Sequence, residues 1–343
     1  MKNSNFLQAL RLEKNSIPPI WFMRQAGRYL PEYQAIRRGY TNFLDMCKEP
    51  KICAELALQP IERFNLDASI LFSDILTIPD AFNLGLAFHE GEGPKFSNPI
   101  SSSEHIYNLD LFQIDKLDYV FKAIEETKNI LPSDLPLIGF CGSPWTLAAY
   151  SIEGGGSKDF IKTKQFLSEH TEAFEDYLEI LTDACFQYLK QQVISGINAI
   201  QIFDSWADLL SAEDLETFSL AYTRKLSKML KEDSVTQGIP IILFEKAPQK
   251  KIIDCMFDHL SCISLHWQEN IESLALDLKN NFAIQGNLNP KILLGSDEFI
   301  WDETQKICQA MKGFPGFIFN LGHGITPDIE PEKVQVMIEA VRA

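Results

Sequence analysis

Residues 21–33, WFMRQAGRYLPEY, carry Arg24 and Arg28 four residues apart, and Arg37 and Arg38 follow nearby. In a helical or turn-like loop that spacing turns both guanidinium groups to one side. Guanidinium forks bind carboxylates through paired hydrogen bonds and stay charged when partly desolvated, which lysine does less well. Residues 1–40 hold seven basic and two acidic side chains, a net of +5; the 343-residue chain carries −16, so the other 303 residues sum to −21. A basic cluster in an acidic chain points to a local anion site. The ordinary alternative is surface charge paired with some of the 47 acidic residues.

Asp74 ends the run ASILFSD, which reads as buried on both faces, so its carboxylate needs donors or a cation to stay ionised. Its other reading is a helix N-cap, which Pro79 weakens by limiting a helix that begins there. Residues 139–156, GFCGSPWTLAAYSIEGGG, gather turn formers around Trp145 and Tyr150. Glycines let a backbone approach a ligand, and Tyr150 offers a phenol donor on an apolar ring. Ser205, in IFDSWADLL, has neither a G-x-S-x-G elbow nor a histidine base, so it reads as a hydrogen-bond donor and not a nucleophile. His323 stands between two glycines just before the last helix, a place suited to an anionic group, although a lone histidine is more often structural. His89, His105, His170 and His259 lack such a context.

No H-x-C, H-E-x-x-H or C-x-x-C pair suggests a metal site, and no Walker A loop is present. The absence of common cofactor fingerprints favours chemistry that the substrate performs with its own electrons. Seven scattered cysteines read as reduced core residues of a cytoplasmic protein. The start lacks the pattern of a signal peptide, no run of about 18 apolar residues could span a bilayer, and the acidity argues against nucleic acid and anionic membranes.

These side chains need a scaffold. Eight short apolar runs read as buried strands: residues 19–24, 68–74, 137–141, 199–204, 239–244, 262–266, 282–286 and 316–321. Helical periodicity fills the intervals at 50–63 (with a kink or shift at Pro60), 158–193 as one or two helices, 212–230, 248–259, 269–278, 301–311 and 330–341. Glycines at 91–94 and 154–156 mark long insertions and not domain joints. The alternation predicts an α/β protein of (β/α)8 TIM-barrel type forming a single domain over 1–343; a doubly wound open sheet is the alternative, and it lacks G-x-G-x-x-G support. In such a barrel, functional groups belong at the C-terminal ends of strands, where Arg24, Arg28, Asp74, Tyr150, Ser205 and His323 all fall.

WFMRQAGRYLPEY and GFCGSPWTLAAYSIEGGG resemble the two signature regions of the uroporphyrinogen decarboxylase family. The resemblance continues in order through LALQPIERFNLDASILFSDIL, GEGP, IQIFDSWADLL, QGNLNP and FNLGHGITPD. It implies a cofactor-free, homodimeric barrel in haem biosynthesis, converting the four acetates of uroporphyrinogen III to methyls with release of four CO2 and formation of coproporphyrinogen III. By this match Arg24, Arg28 and Arg37 stand as ligands of substrate carboxylates. Asp74 stands as the aspartate that gathers the pyrrole N–H groups, and Tyr33, Tyr150, Phe203, Ser205 and His323 as further cleft residues. Asp74, Arg24 and Tyr150 form the expected catalytic set. Tyr33 replaces a phenylalanine of relatives, His266 and Asn289 replace aspartates, and FEKAPQ lacks an expected glycine. Two alternatives stay open: a zinc-dependent corrinoid or methylthiol methyltransferase, and a non-catalytic tetrapyrrole carrier.

Overall fold

The computed structural model describes residues 4–89, 93–247, 251, 258–278 and 282–343. Seven strands form one curled parallel sheet in the order β1 (Ser69–Ile70), β4 (Leu137–Gly142), β5 (Ala199–Asp204), β6 (Ile241–Glu245), β7 (Cys262–Leu265), β8 (Ala283–Leu288) and β9 (Phe317–Leu321). β2 (Leu86–His89) and β3 (Gly93–Phe96) form a separate antiparallel hairpin. Every residue of β4 and of β6 through β9 is buried. Helices cover a sheet of this kind, so its strands read as continuous apolar runs and not as alternating ones.

The run at 19–24, expected as a first strand, contributes a single parallel bridge, Ile20 to Phe319. Pro18 and Pro19 offer no ladder donors, and side-chain oxygens take the next N–H groups: Ile20 donates to Asp67 Oδ2 at 2.8 Å and Met23 to Asn320 Oδ1 at 3.2 Å. The segment still lies between the outer strands. Phe319 N–H donates to the Pro19 carbonyl, and Asp67 N–H, just ahead of β1, donates to the Ile20 carbonyl.

An apolar cluster joins Phe6, Ala9 and Leu10 of the first helix (Asn5–Leu10) to strand-start residues including Ile138, Ala199, Ile242 and Ile318. It fills the end where the strands begin. Above it, Trp21 Nε1 donates to Gln285 Oε1 at 2.8 Å, and Gln285 Nε2 donates to Ser264 Oγ at 2.9 Å and Gln201 Oε1 at 3.3 Å.

The helices largely follow the sequence periodicity, with corrections. Pro50–Phe64 runs on through Pro60. The 158–193 stretch divides at His170 into Ile161–Glu169 and Thr171–Ser195. The 212–230 stretch holds a widened π turn at Glu216–Leu220. The helix expected at 301–311 begins earlier, as Asp297–Ala310, because Ser296 caps it. Most of 248–259 and part of 91–94 lie outside the described residues. The hairpin was not expected. It meets the other glycine insertion, since Phe96 N–H donates to the Gly154 carbonyl and Lys95 bridges Gly155. Among the described residues no helix is long and apolar enough to cross a membrane. Of the six described cysteines, all free, five are buried and Cys308 is half-buried.

Candidate active site

The arginine loop is held from below. Gln25 is buried; its Oε1 accepts from Phe22 N–H at 3.2 Å and its Nε2 donates to the Ala68 carbonyl at 3.1 Å, while Tyr29 Oη donates to the Gln25 carbonyl at 2.8 Å. Arg24 takes φ +65°, a left-handed backbone that a non-glycine side chain adopts only when its surroundings impose it. Arg24 and Arg28 are exposed and make no ion pair among the described residues. Glu32, four residues after Arg28, is taken by Arg63 at 2.7 Å. Arg37 donates to the Tyr40 carbonyl. Burial pushes the Tyr33 phenol up to about 12, with Arg37 and Arg28 pulling the other way, so three of the expected groups stand together.

Asp74 is half-buried, and the desolvation that crowding imposes on its carboxyl raises its pKa. Its Oδ1 accepts from Leu76 N–H at 2.8 Å, and the positive charge of Arg24 opposes the burial effect. The capping alternative is thus half realised, because a short helix, Thr77–Asp80, does follow. Pro79 does not prevent it. Pro79 sits in the first turn, where backbone N–H groups lack helical partners anyway.

Tyr150 comes from a helix, Pro144–Glu153, within the stretch whose composition reads as turn formers; Ser143 caps it by accepting from Thr146 N–H at 3.0 Å. The phenol is half-buried and packs edge-on against Phe160 and Trp206, with centroids 5.8 and 6.0 Å away. Burial raises its pKa first, followed by effects of Trp206, Asp74 and Arg24, so the expected catalytic set shares one neighbourhood.

An aromatic arc spans the strand ends. Centroids lie 5.8 Å apart for Phe140 and Phe203, 6.1 Å for Phe203 and Phe244, 6.3 Å for Phe244 and His323, and 6.1 Å for His323 and His266. His323 returns the arc to the arginines. A Cβ at Gly322 would meet Trp267 N at 2.3 Å, so backbone approach imposes that glycine, while one at Gly324 would meet the Arg24 side chain, Cδ at 2.5 Å, and displace it. Burial, then Arg24, His266 and Lys246, push His323 down to about 4, leaving it neutral near pH 7. Ser205 is half-buried. Its N–H donates to Thr146 Oγ1 at 3.0 Å, and its hydroxyl has no partner among the described residues.

Sequence reading missed Lys246, which pairs with Asp208 at 2.9 Å and lies 5.5 Å from the Trp206 ring centre. It saw His266 only as a departure, yet that side chain is buried within the arc. The Asn289 departure is local: its side chain accepts from Lys291 N–H at 3.0 Å, a capping role that aspartate fills equally. Among the described residues no three His, Cys, Asp or Glu side chains group as metal ligands.

Guanidinium groups free of ion pairs among the described residues, a half-buried carboxylate and a row of aromatic rings are groups that suit a flat polyanion. A protein family described as "Uroporphyrinogen decarboxylase (URO-D)" matches residues 1–343. The uroporphyrinogen decarboxylase of Vesicomyosocius okutanii subsp. Calyptogena okutanii is 44% identical over 337 residues, 98% of this chain and 97% of that protein. That of Saccharophagus degradans is 44% identical over 342 residues, 99% of this chain and 97% of that protein. A methyltransferase from Methanosarcina mazei shares the fold, with a TM-score of 0.81 at 19% identity over 98% of this chain and 97% of that one.

Proposed function

The chain belongs to the uroporphyrinogen decarboxylase family, and we propose that it removes the four acetate carboxyls of uroporphyrinogen III to give coproporphyrinogen III and CO2, a step of porphyrin and haem biosynthesis. It is a carboxy-lyase acting on uroporphyrinogen. The observation that carries the residue assignment is Asp74, half-buried with one oxygen held by Leu76 and with Arg24 acting on it, while Arg24 and Arg28 keep their charges free of ion pairs among the described residues.

Losing CO2 from an acetate leaves an electron pair that needs a sink. Protonation of the neighbouring pyrrole carbon makes a cationic ring, and the substrate itself then fills the role of an electron-sink cofactor. Asp74 faces the pyrrole N–H groups and stabilises that positive charge most strongly where it develops, in the transition state. Substrate N–H donors in turn favour its ionised form. Arg24 orients the departing carboxylate. Arg28, Arg37 and His323 hold the propionates and the acetates awaiting reaction, with Tyr33 and Phe203 forming walls and Ser205 and Tyr150 supplying donors. Tyr150 stands with Asp74 and Arg24 in the catalytic set.

One domain covers 1–343, and the bridge at Ile20 takes the eighth position of a (β/α)8 barrel. The protein works in the cytoplasm as a homodimer without a cofactor; its partner molecule is the tetrapyrrole, not nucleic acid or a membrane. Sedimentation of the purified protein tests the dimer. For the reaction, anaerobic incubation with uroporphyrinogen III and no additive should release CO2 and pass through seven-, six- and five-carboxylate intermediates, seen by chromatography after oxidation. Unchanged uroporphyrinogen as the sole porphyrin at the end would overturn the assignment.

A further inference from the structure

Behind the aromatic arc lies a pair of carboxyl groups that the decarboxylation does not use. Asp204 ends β5 and Glu245 ends β6; the two are register partners on neighbouring parallel strands, so their side chains leave the same face of the sheet. Both are fully buried. Asp204 is well supplied with donors. Thr146 Oγ1 donates to its Oδ1 at 2.8 Å, and Ser219, presented by the π turn, donates to its Oδ2. Glu245 is not: neither oxygen meets an N–H or O–H donor among the described residues.

Two ionised carboxylates cannot sit side by side without water, and a bare buried charge on Glu245 has nothing to offset it. One proton resolves both problems. A neutral Glu245 donates to Asp204, and the pair keeps a single negative charge already held by the hydroxyls around Asp204. The groups facing the pair agree. Asp208 adds a further negative charge acting on Glu245, and the helices packed on Asp204 offer it the hydroxyls of Ser143, Thr146 and Ser219. Lys246, the adjacent cation, is engaged by Asp208.

We propose that Asp204 and Glu245 share one proton, and that this proton holds the ends of β5 and β6, with Ser205 and Lys246, in the arrangement that receives the substrate. The connections are short. Ser205 N–H rests on Thr146 Oγ1, which itself donates to Asp204, and Lys246 N–H donates to the Asp204 carbonyl at 3.1 Å. Loss of the proton places a second negative charge behind a polyanion site and forces the strand ends apart. Glu245 is therefore a positioning residue.

The kinetic test rests on the decarboxylase reading; a spectroscopic one does not. KM for uroporphyrinogen is measured against pH for wild type and Glu245→Gln, whose amide still donates to Asp204 but cannot ionise. Wild-type KM should climb on the alkaline side with a limiting slope of about tenfold per pH unit for one linked proton, with kcat nearly level, and the variant should show no such rise. Superimposable KM profiles overturn the proposal. In difference infrared spectra at neutral pH, wild type should show a protonated-carboxyl C=O stretch that Glu245→Gln lacks; an unchanged spectrum overturns it whether or not the protein decarboxylates anything. Should the variant not fold, the wild-type band must itself vanish over the pH range in which KM climbs, and a mismatch of the two ranges rejects the idea.

Discussion

Replacing Gly324 with alanine asks whether the placement of Arg24, and not merely its presence, governs turnover. The added Cβ would meet Arg24 Cδ at 2.5 Å, and Cγ and Nε at 2.9 Å. Non-bonded carbons settle at about 3.5–4.0 Å, so the arginine side chain must retreat by roughly 1 Å. Gly324 is not among the positive-φ glycines, and its backbone accepts alanine without strain. Arg24 is exposed and can swing aside at a rotamer cost of about 0.5–1.5 kcal/mol. The fold should therefore stand, with Tm moved by less than about 4 °C. Catalysis should not, because a misplacement of about 1 Å in a positioned group can cost about a hundredfold in rate, or about 2.7 kcal/mol of barrier. The assay is kcat/KM for uroporphyrinogen beside a melting curve. Gly322→Ala supplies the contrast: its Cβ meets backbone, Trp267 N at 2.3 Å and Cα at 2.5 Å, which cannot swing away, so that variant should lose Tm first. A folded Gly324→Ala enzyme with wild-type kcat/KM would refute the reasoning.

Two further outcomes follow from buried charge. Asp74→Asn retains an oxygen for Leu76 N–H and should keep the fold while turnover falls by about 10²–10³. Because burial raises the pKa of Asp74 above 3.8, wild-type stability declines as pH climbs from 3.8 through that raised value. The variant should accordingly melt higher than wild type at pH 7 and lose this advantage in acid, as scanning calorimetry across pH would show; a lower melting point at pH 7 would contradict it. For His323, burial and nearby cations depress the pKa from 6.5 to about 4, so the neutral ring's contribution to stability is complete above pH 6.5 and lost as pH falls through about 4. His323→Asn should flatten that part of the Tm–pH curve, and the imidazole NMR titration should move upward when a porphyrinogen carboxylate binds.

The buried strands were legible because a sheet covered on both faces demands unbroken apolar runs, as in LIGFC and AIQIFD. The run at 19–24 looked the same and behaved otherwise. Its N–H groups go to Asp67 and Asn320, 47 and 297 residues away in the chain, and no local pattern carries that information. The helix bearing Tyr150 was hidden by the glycines that flank it and by Pro144, which read as turn formers although Ser143 and Pro144 are helix-start residues. Pro79 misled in the same way, since its effect depends on which turn of the helix it occupies.

For the site, the chain by itself determined the reagents: arginines at a fixed spacing, an aspartate at the end of an apolar run, and a histidine between glycines. These are local, because residue type and chain neighbours set charge, hydrogen-bonding capacity and backbone freedom. Only the tertiary structure decided who meets whom. It packs Arg24 onto Gly324 and brings its charge to Asp74, strings Phe140, Phe203, Phe244, His323 and His266 into one arc, and puts Glu245 beside Asp204. Contact, desolvation and the sharing of a proton act over a few ångströms of space, and the curl of a parallel sheet sets those distances between residues far apart in sequence.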